Sequence, residues 1–387
     1  MHRRPSRLLT VPLTLIGLLL AGCGGAASGD EGTGCAPVPA AALVPDDGVW
    51  LGAHLDGDGA ALDAYASALG QRPAVVGASV EVPMRSDDRR QVNALVERLI
   101  DARGMLLLTL EPYQGLDTVT DAVAEELAIR LDGYNRRGVP VVVRFGPEMN
   151  GHWYRWGQQP TAFVAAFRRV AAALHREAPG TATMWAPAYG GGYPFVADLE
   201  DPRDRAVLDV DGDGTVTRAD DPYSPYWPGA EAVDWVGLSL FHWGSTWPWG
   251  ENAVPEAGKL LEQVTGTYAG LGGDDRALPD FYATYADGQD KPFALPETGA
   301  LWAPGTAGSS ERAIKRTWWR QVFDPSLTKR LPRLAMIAWV ERELPPDRDL
   351  PAVDWRALRT PALAEAYRAD LPQWARWAED VPRCLET

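Results

Sequence analysis

The sequence predicts a (β/α)8 barrel, on three observations. Eight apolar, strand-like runs recur along the chain, amphipathic helical stretches lie between them, and a Glu stands just beyond two of the runs. The runs cover 49–55, 74–82, 105–110, 139–145, 181–186, 233–241, 292–295 and 334–340. Val92, Leu95, Val96 and Leu99 fall at i, i+3, i+4 and i+7 behind Asp87-Asp88, which supply an N-cap signal. Val119, Val123, Leu127, Leu131 and Tyr134 make a longer helix that Gly138 stops, and Phe163, Phe167, Val170 and Leu174 follow Pro160-Thr161 until Pro179-Gly180. Thr360-Pro361 pairs an N-cap with Pro in the first turn and opens a last helix through Leu363 and Tyr367. A doubly wound open sheet is the alternative, but no Gly-rich nucleotide loop follows the first run.

At 387 residues the chain suits one large barrel, and its 46% hydrophobic and 23% charged residues exclude wholesale disorder. The net charge of −15 repels a phosphate backbone, so nucleic acid is not expected as a partner. A monomer is expected.

The amino terminus reads as an export signal. Arg3, Arg4 and Arg7 precede an apolar stretch over 8–20 that is too short to span a bilayer, and it ends Leu20-Ala21-Gly22-Cys23, which resembles a bacterial lipoprotein signal. Residues 1–22 are expected to be removed and Cys23 to carry lipid, anchoring the protein to the cell envelope outside the cytoplasm. Ordinary secretory cleavage nearby is the alternative. The Gly-, Ala-, Ser- and Pro-rich residues 23–44 read as a flexible tether, and 45–387 as the catalytic domain. Cys35 and Cys384 then form a disulfide, or else remain two thiols on frayed ends.

In a barrel of this class chemistry sits at the C-terminal ends of the strands. Glu148 follows the fourth run and Glu297 the seventh. If Glu148 points inward, so do Gly146, Arg144 and Val142, which puts a cation beneath the carboxylate. Runs four and seven occupy opposite walls, so the two carboxylates can face one another. Glycosidic cleavage needs such a pair, one carboxyl protonated as acid and one ionised; the alternative is that each Glu pairs with a surface Arg or Lys. Sixteen Trp add to the case through their positions. Trp153, Trp156, Trp185, Trp243, Trp247, Trp249 and Trp339 end a run or follow one, where flat rings can cover the apolar faces of sugars. Trp318 and Trp319, on a helical stretch, read as core.

The segment Arg144-Phe145-Gly146-Pro147-Glu148-Met149-Asn150-Gly151-His152-Trp153-Tyr154-Arg155-Trp156-Gly157 resembles glycoside hydrolase family 26, the β-mannanase family of retaining (β/α)8 glycosidases. Its signature is Arg-x-x-His-Glu-x-Asn-Gly-x-Trp-Tyr-x-Trp. Val233-Asp234-Trp235-Val236-Gly237-Leu238-Ser239 is similar to its sixth strand and Lys291-Pro292 with Glu297-Thr298-Gly299 to its nucleophile strand. Trp339 and Asp354-Trp355-Arg356 are similar to the eighth strand and the loop beyond it. The resemblance spans roughly 45 to 370. It implies Glu148 as general acid/base, Glu297 as nucleophile, Trp153, Trp156 and Trp339 around the sugar subsites, and Asn150 among the substrate contacts. Two positions depart from it: Pro147 stands for the His before the acid/base, and Phe241 for the sixth-strand Tyr that hydrogen-bonds the nucleophile.

Asp209-Val210-Asp211-Gly212-Asp213-Gly214-Thr215-Val216-Thr217-Arg218-Ala219-Asp220 fits a twelve-residue calcium loop of the dockerin type. Asp209, Asp211, Asp213 and Asp220 occupy positions 1, 3, 5 and 12, Gly214 gives the turn, and the Thr215 carbonyl serves position 7. A structural calcium ion is expected, with no cofactor for catalysis. Among the His, His54 can line the subsite of the cleaved sugar or be a satisfied rim residue, and His242 is a weaker case, because Phe241 and Trp243 share the other strand face. The expectation is a lipid-anchored retaining glycoside hydrolase acting within β-1,4-mannans. A β-1,3-1,4-glucanase, a β-xylanase or an inactive polysaccharide-binding lipoprotein are the alternatives.

Overall fold

The computed structural model describes residues 35–55, 59–195, 201–244, 251–270, 275–346 and 351–385. The signal 1–22, Cys23, the first part of the expected tether, Trp247 and Trp249 lie outside the described residues.

Nine strands make eight staves of a closed parallel barrel: β1 (Val49–Leu55), β2 (Val75–Glu81), β3 (Met105–Glu111), β4 (Val141–Phe145), β5 (Thr181–Trp185), β6 (Trp235–Gly237), β7 (Leu240–His242), β8 (Phe293–Ala300) and β9 (Leu334–Glu341). From β1 to β6 each pairs with the next in parallel, β6 and β7 in succession both pair β8, β8 pairs β9, and β9 closes the ring on β1 through Trp50↔Met336 to Leu55↔Glu341. The intervening helices are α1 (Gly59–Leu69), α2 (Ser86–Ala102), α3 (Asp121–Asn135), α4 (Pro160–Glu177), α5 (Pro202–Leu208), α6 (Lys259–Val264), α7 (Glu311–Val322), α8 (Leu327–Arg330) and α9 (Pro361–Ala369). Pro160 and Thr360-Pro361 open their helices as expected, while Asp87-Asp88 fall in the first turn of α2 behind Arg85 and Thr120 caps α3. Thr120 and Thr360 accept from Val123 N and Leu363 N, each at 3.3 Å, Pro160 opens α4, and Asp88 Oδ2 accepts from Arg85 N at 2.9 Å. A short hairpin, β10 (Glu343–Leu344) with β11 (Val353–Asp354), follows β9, and β12 (Ala375–Arg376) pairs with the start of β1.

Strand alternation divides the apolar residues into two layers. Met105, Leu107, Val142, Met184, Ala294 and Met336 fill the barrel, while Val141, Val143, Trp185, Leu295 and Trp339 face outward to the helices. Burying both faces explains why the runs are continuously apolar.

Three local departures from the expected pattern shape the protein. The sixth run is not one strand: it breaks at Leu238-Ser239, with β6 and β7 both pairing β8. The seventh does not stop at Leu295 but continues to Ala300 through a bulge, since Leu295↔Ile337 is followed by Thr298↔Trp339. The third departure corrects the tether. Residues 35–44 belong to the domain, with Val38 and Leu43 buried against the barrel interior and Trp50 Nε1 donating to Leu43 O at 2.7 Å. Two apolar side chains in an otherwise Pro- and Ala-rich segment suffice to seat it across the N-terminal end of the barrel. Cys35 and Cys384 are joined as a disulfide there, with Cα atoms 5.4 Å apart.

Candidate active site

Glu148 and Glu297 reach the C-terminal mouth by two different backbone devices. After β4 the chain turns through Gly146 (φ 53°), Pro147 and Glu148 (φ 54°), and a Cβ at Gly146 would lie 2.9 Å from Phe163, so glycine is required there. Glu148 N donates to Ala186 O at 3.0 Å, which ties the turn to the end of β5. Glu297 sits in the bulge of β8. Strict alternation from inward Ala294 would turn Glu297 outward; the extra residue at Pro296-Glu297 returns it to the inner face, where it is 7% exposed. Proline in a strand is itself a bulge signal, and Pro296 carried it.

Arg144, completely buried on the inner face of β4, lies under both carboxyls. Its Nη1 is 2.7 Å from Glu297 Oε2, and its Nη2 donates to Ser239 Oγ at 2.5 Å. Ser239 occupies the break between β6 and β7, and its hydroxyl lies close enough to the Glu148 carboxyl to favour its ionised form. His54, inward on β1, brings Nδ1 to 3.9 Å from Glu297 Oε1, and Gly77 on β2 makes room for it, since a Cβ there would meet His54 at 2.3 Å. Burial lowers His54 to about 4 and keeps it neutral near pH 7.

The two carboxyls are driven apart electrostatically. Desolvation and then the negative charge of Glu297 push the Glu148 carboxyl above the usual range. Burial works on Glu297 in the same direction, but the charge of Arg144 above all, with that of Arg342 and the Arg144 hydrogen bond, outweighs it and holds the carboxyl well below the usual range. One group is therefore protonated and the other ionised at the same pH, which is the division of labour that acid-assisted displacement requires.

Among the expected sugar contacts, the structure brings Trp153, Phe241 and Trp243 to the rim. Trp153 is 44% exposed and donates from Nε1 to Glu148 Oε2 at 2.7 Å. Phe241 and Trp243 are half-buried and pack edge-on against Trp355, with centroids 5.0 and 4.9 Å away. Four others are corrected. Trp156, Trp185 and Trp339 are fully buried and present no face to a sugar. Trp156 stacks on Tyr154 and donates to Pro147 O at 2.8 Å, pinning the turn that carries Glu148. Trp185 and Trp339 fall on the outward strand face, against Tyr285 and Tyr367 respectively. Asn150 is consumed by backbone: Nδ2 donates to Ala188 O and Oδ1 accepts from Ala188 N, locking the loops after β4 and β5 together. His242 points outward, its Nε2 2.9 Å from Ala253 O.

Three mouth residues escaped the sequence reading. Glu81 and Glu111 end β2 and β3 in direct register and face inward, and Arg342 follows β9 on the inner face. Burial, then the charge of Glu297, raises Glu111 to about 7. Both Glu carried the signal that singled out Glu148, a carboxylate closing an apolar strand.

In the loop after α5, oxygens of Asp209, Asp211 and Asp213 all lie within 4.8 Å of one another, and Asp209 Oδ1 is buried with no hydrogen-bond partner. Asp220, 2% exposed, closes the loop by accepting from Val210 N, Asp211 N and Thr217 N, while Thr215 N donates to Asp213 Oδ1. Three converging carboxylates and an orphaned oxygen fit a hard divalent cation. Arg218 of this loop meets Asp275 at 3.3 Å, as does the Tyr189 hydroxyl at 3.1 Å.

No known protein-family profile matches the chain, and no curated protein matches it. Solved structures do. A modular endo-β-1,4-mannanase of glycoside hydrolase family 26 from Cellulomonas fimi is 16% identical, with 91% of this chain and 80% of that one covered and a TM-score of 0.56. GH26C from a Muricauda species is 13% identical over 89% and 90% at 0.52. Cel5A from Thermotoga maritima, solved with mannotriose, is 10% identical over 86% and 98% at 0.51. At these identities the likeness establishes the fold, the barrel shared by these glycoside hydrolases.

Proposed function

We propose that the chain is an exported, lipid-anchored, retaining glycoside hydrolase that cleaves internal β-1,4-mannosidic bonds. The observation that carries this is the asymmetric pair: Glu297, ionised by Arg144, opposite Glu148, kept protonated by desolvation and by the Glu297 charge. The family 26 endo-β-1,4-mannanase from Cellulomonas fimi among the structural neighbours supports the substrate class.

In the first step a Glu297 oxygen bonds to the anomeric carbon as the glycosidic C–O bond breaks, and Glu148 delivers its proton to the departing oxygen. In the second, Glu148, now ionised, takes a proton from water, which attacks the same carbon and releases Glu297. Arg144 is worth most before attack, because it stabilises a charge that the first step consumes. The exposed indole of Trp153 and the Phe241–Trp243 pair offer apolar faces to the flanking sugars. Phe241 supplies no hydroxyl to the nucleophile; Arg144 is the donor group within reach.

The loop from Asp209 to Asp220 would hold a calcium ion through Asp209, Asp211, Asp213 and the Thr215 carbonyl, with Asp220, expected as a further ligand, instead closing the loop on backbone N–H groups and stiffening the segment between β5 and β6. Lipid at Cys23 would tie the domain to the envelope.

Reducing-sugar release from mannan, glucomannan, mixed-linkage β-glucan and xylan, with Glu148→Ala as control, tests the reading. Release from mannan by the wild type alone is expected. Release only from β-glucan or xylan moves the specificity, and binding without release makes the protein an inactive polysaccharide binder.

A further inference from the structure

The donor on the acid is held by a contact that only glycine permits. Gly151 lies under the Trp153 ring, and a Cβ there would come within 2.3 Å of Trp153 Cζ2. Without it the indole folds back over the turn, with Phe195 edge-on at 5.1 Å and His152 at 5.6 Å. Folded this way, Trp153 Nε1 reaches Glu148 Oε2 at 2.7 Å although almost half of the side chain faces solvent. An exposed ring that carried substrate by stacking alone would have no need to aim its N–H at the acid.

We propose that Trp153 is a positioning residue for proton transfer, its indole N–H occupying Oε2 of Glu148 and thereby leaving the transferable proton on Oε1. The inference rests on the glycosidase reading and deepens it. An indole nitrogen can only donate, so the oxygen it faces acts as acceptor and cannot direct a proton toward it. The Ser239 hydroxyl near this carboxyl already accepts from Arg144 Nη2 and its own proton rotates, so it does not fix one oxygen of Glu148 as the indole does. When the proton on Oε1 passes to the departing oxygen, the electron pair of the broken C–O bond stays on that oxygen and Glu148 becomes a carboxylate. The same N–H then stabilises the charge. The bond is thus stronger after transfer than before it, which is the condition for lowering the barrier.

The test uses two aryl β-mannobiosides, one with a 2,4-dinitrophenyl leaving group that departs without a proton and one with a 4-methylphenyl group that needs it. The readout is kcat/KM, which reports the first step. Trp153→Phe keeps an aromatic face and removes the donor; Gly151→Ala leaves the indole intact and displaces it. Both should lose about tenfold or more on the methylphenyl substrate and less than about threefold on the dinitrophenyl one, as expected when only general-acid assistance is impaired. Loss of the donor should also move the alkaline limb of the kcat/KM profile to higher pH, since the N–H favours the ionised carboxyl. Equal losses on both substrates, with melting temperature unchanged, would reduce Trp153 to a platform and overturn the proposal, as would no loss on either. Glu148→Gln in parallel separates the two claims. If it shows no dependence on the leaving group, the acid assignment itself fails, and if the wild type cleaves neither glycoside the glycosidase reading fails with it.

Discussion

Arg144 on β4 and Glu297 on β8 meet at 2.7 Å across the floor of the barrel mouth, both almost wholly buried. The pair is what makes two carboxyls in one cleft chemically different. An isolated Glu297 in that position would be pushed toward protonation by burial, as Glu148 and Glu111 are.

Replacing Arg144 with Met should therefore move the acidic limb of kcat/KM to higher pH, because Glu297 would ionise later. Removing one partner of a buried pair should also cost about 3–5 kcal/mol in denaturant unfolding. In the wild type the depressed Glu297 contributes stability that is present above its unfolded value and is lost as pH falls toward its folded value. That acid-side loss should shrink in the variant. An unmoved limb would mean that another group sets the charge of Glu297.

The two Glu should separate by stereochemistry. With an activated aryl glycoside and added azide, Glu148→Ala should give a glycosyl azide of retained configuration, because the covalent step survives. Glu297→Ala should give the inverted azide, because azide takes the vacated place of the nucleophile. NMR of the products distinguishes them. Without azide, Glu148→Gln should lose about 10²–10⁴-fold on natural glycans. The same configuration from both variants would exclude the double displacement.

Chelation should lower the melting temperature, since an ion bound only by the folded protein stabilises it by about 2.7 kcal/mol at a hundredfold excess over Kd. Asp209→Ala should melt like the chelated wild type and stop responding to chelator. If that variant loses turnover with its melting curve intact, the ion acts on the cleft and not on the fold.

Glu341, at the outer end of β9, accepts from Ala357 N at 2.7 Å and Leu358 N at 3.3 Å through the same oxygen, Oε1. Burial raises it to about 8. Between its ordinary value and 8 the unfolded chain binds fewer protons than the folded one, so this group takes stability away as pH rises through that window. Glu341→Gln keeps the accepting oxygen and cannot ionise. Its melting temperature should gain on the wild type by a few degrees between pH 5 and pH 8. Parallel curves would mean that Glu341 is ionised throughout.

The barrel was legible because eight apolar runs alternate with amphipathic helices and no Gly-rich nucleotide loop follows the first run, as a doubly wound sheet would lead one to expect. Which way each Trp faced was not. A strand apolar on both sides has no alternation to fix its phase, so Trp185 and Trp339 read equally well as mouth residues until the pairing with neighbouring strands was known. That Glu148 and Glu297 share one cleft was legible from their place after strands and from the Glu148 motif. The route by which Glu297 reaches the inner face was not, because a bulge is a mismatch between two strands and only one of them is visible at a time. Residues 35–44 misled by composition: Val38 and Leu43 count little in an average and decide the packing.

The disulfide between Cys35 and Cys384 fastens both ends of the domain at the end of the barrel opposite the cleft. With lipid on Cys23, the leash to that point is about a dozen residues, a reach of no more than about 40 Å even when taut. The point at which that leash joins the domain lies away from the cleft. A polymer drawn through the cleft would pull on the barrel along its axis, and the load would pass through the sulfur bridge to both ends of the chain at once. Whatever the amino terminus is fastened to, the mooring point and the cleft are at opposite ends of the barrel, so neither crowds the other.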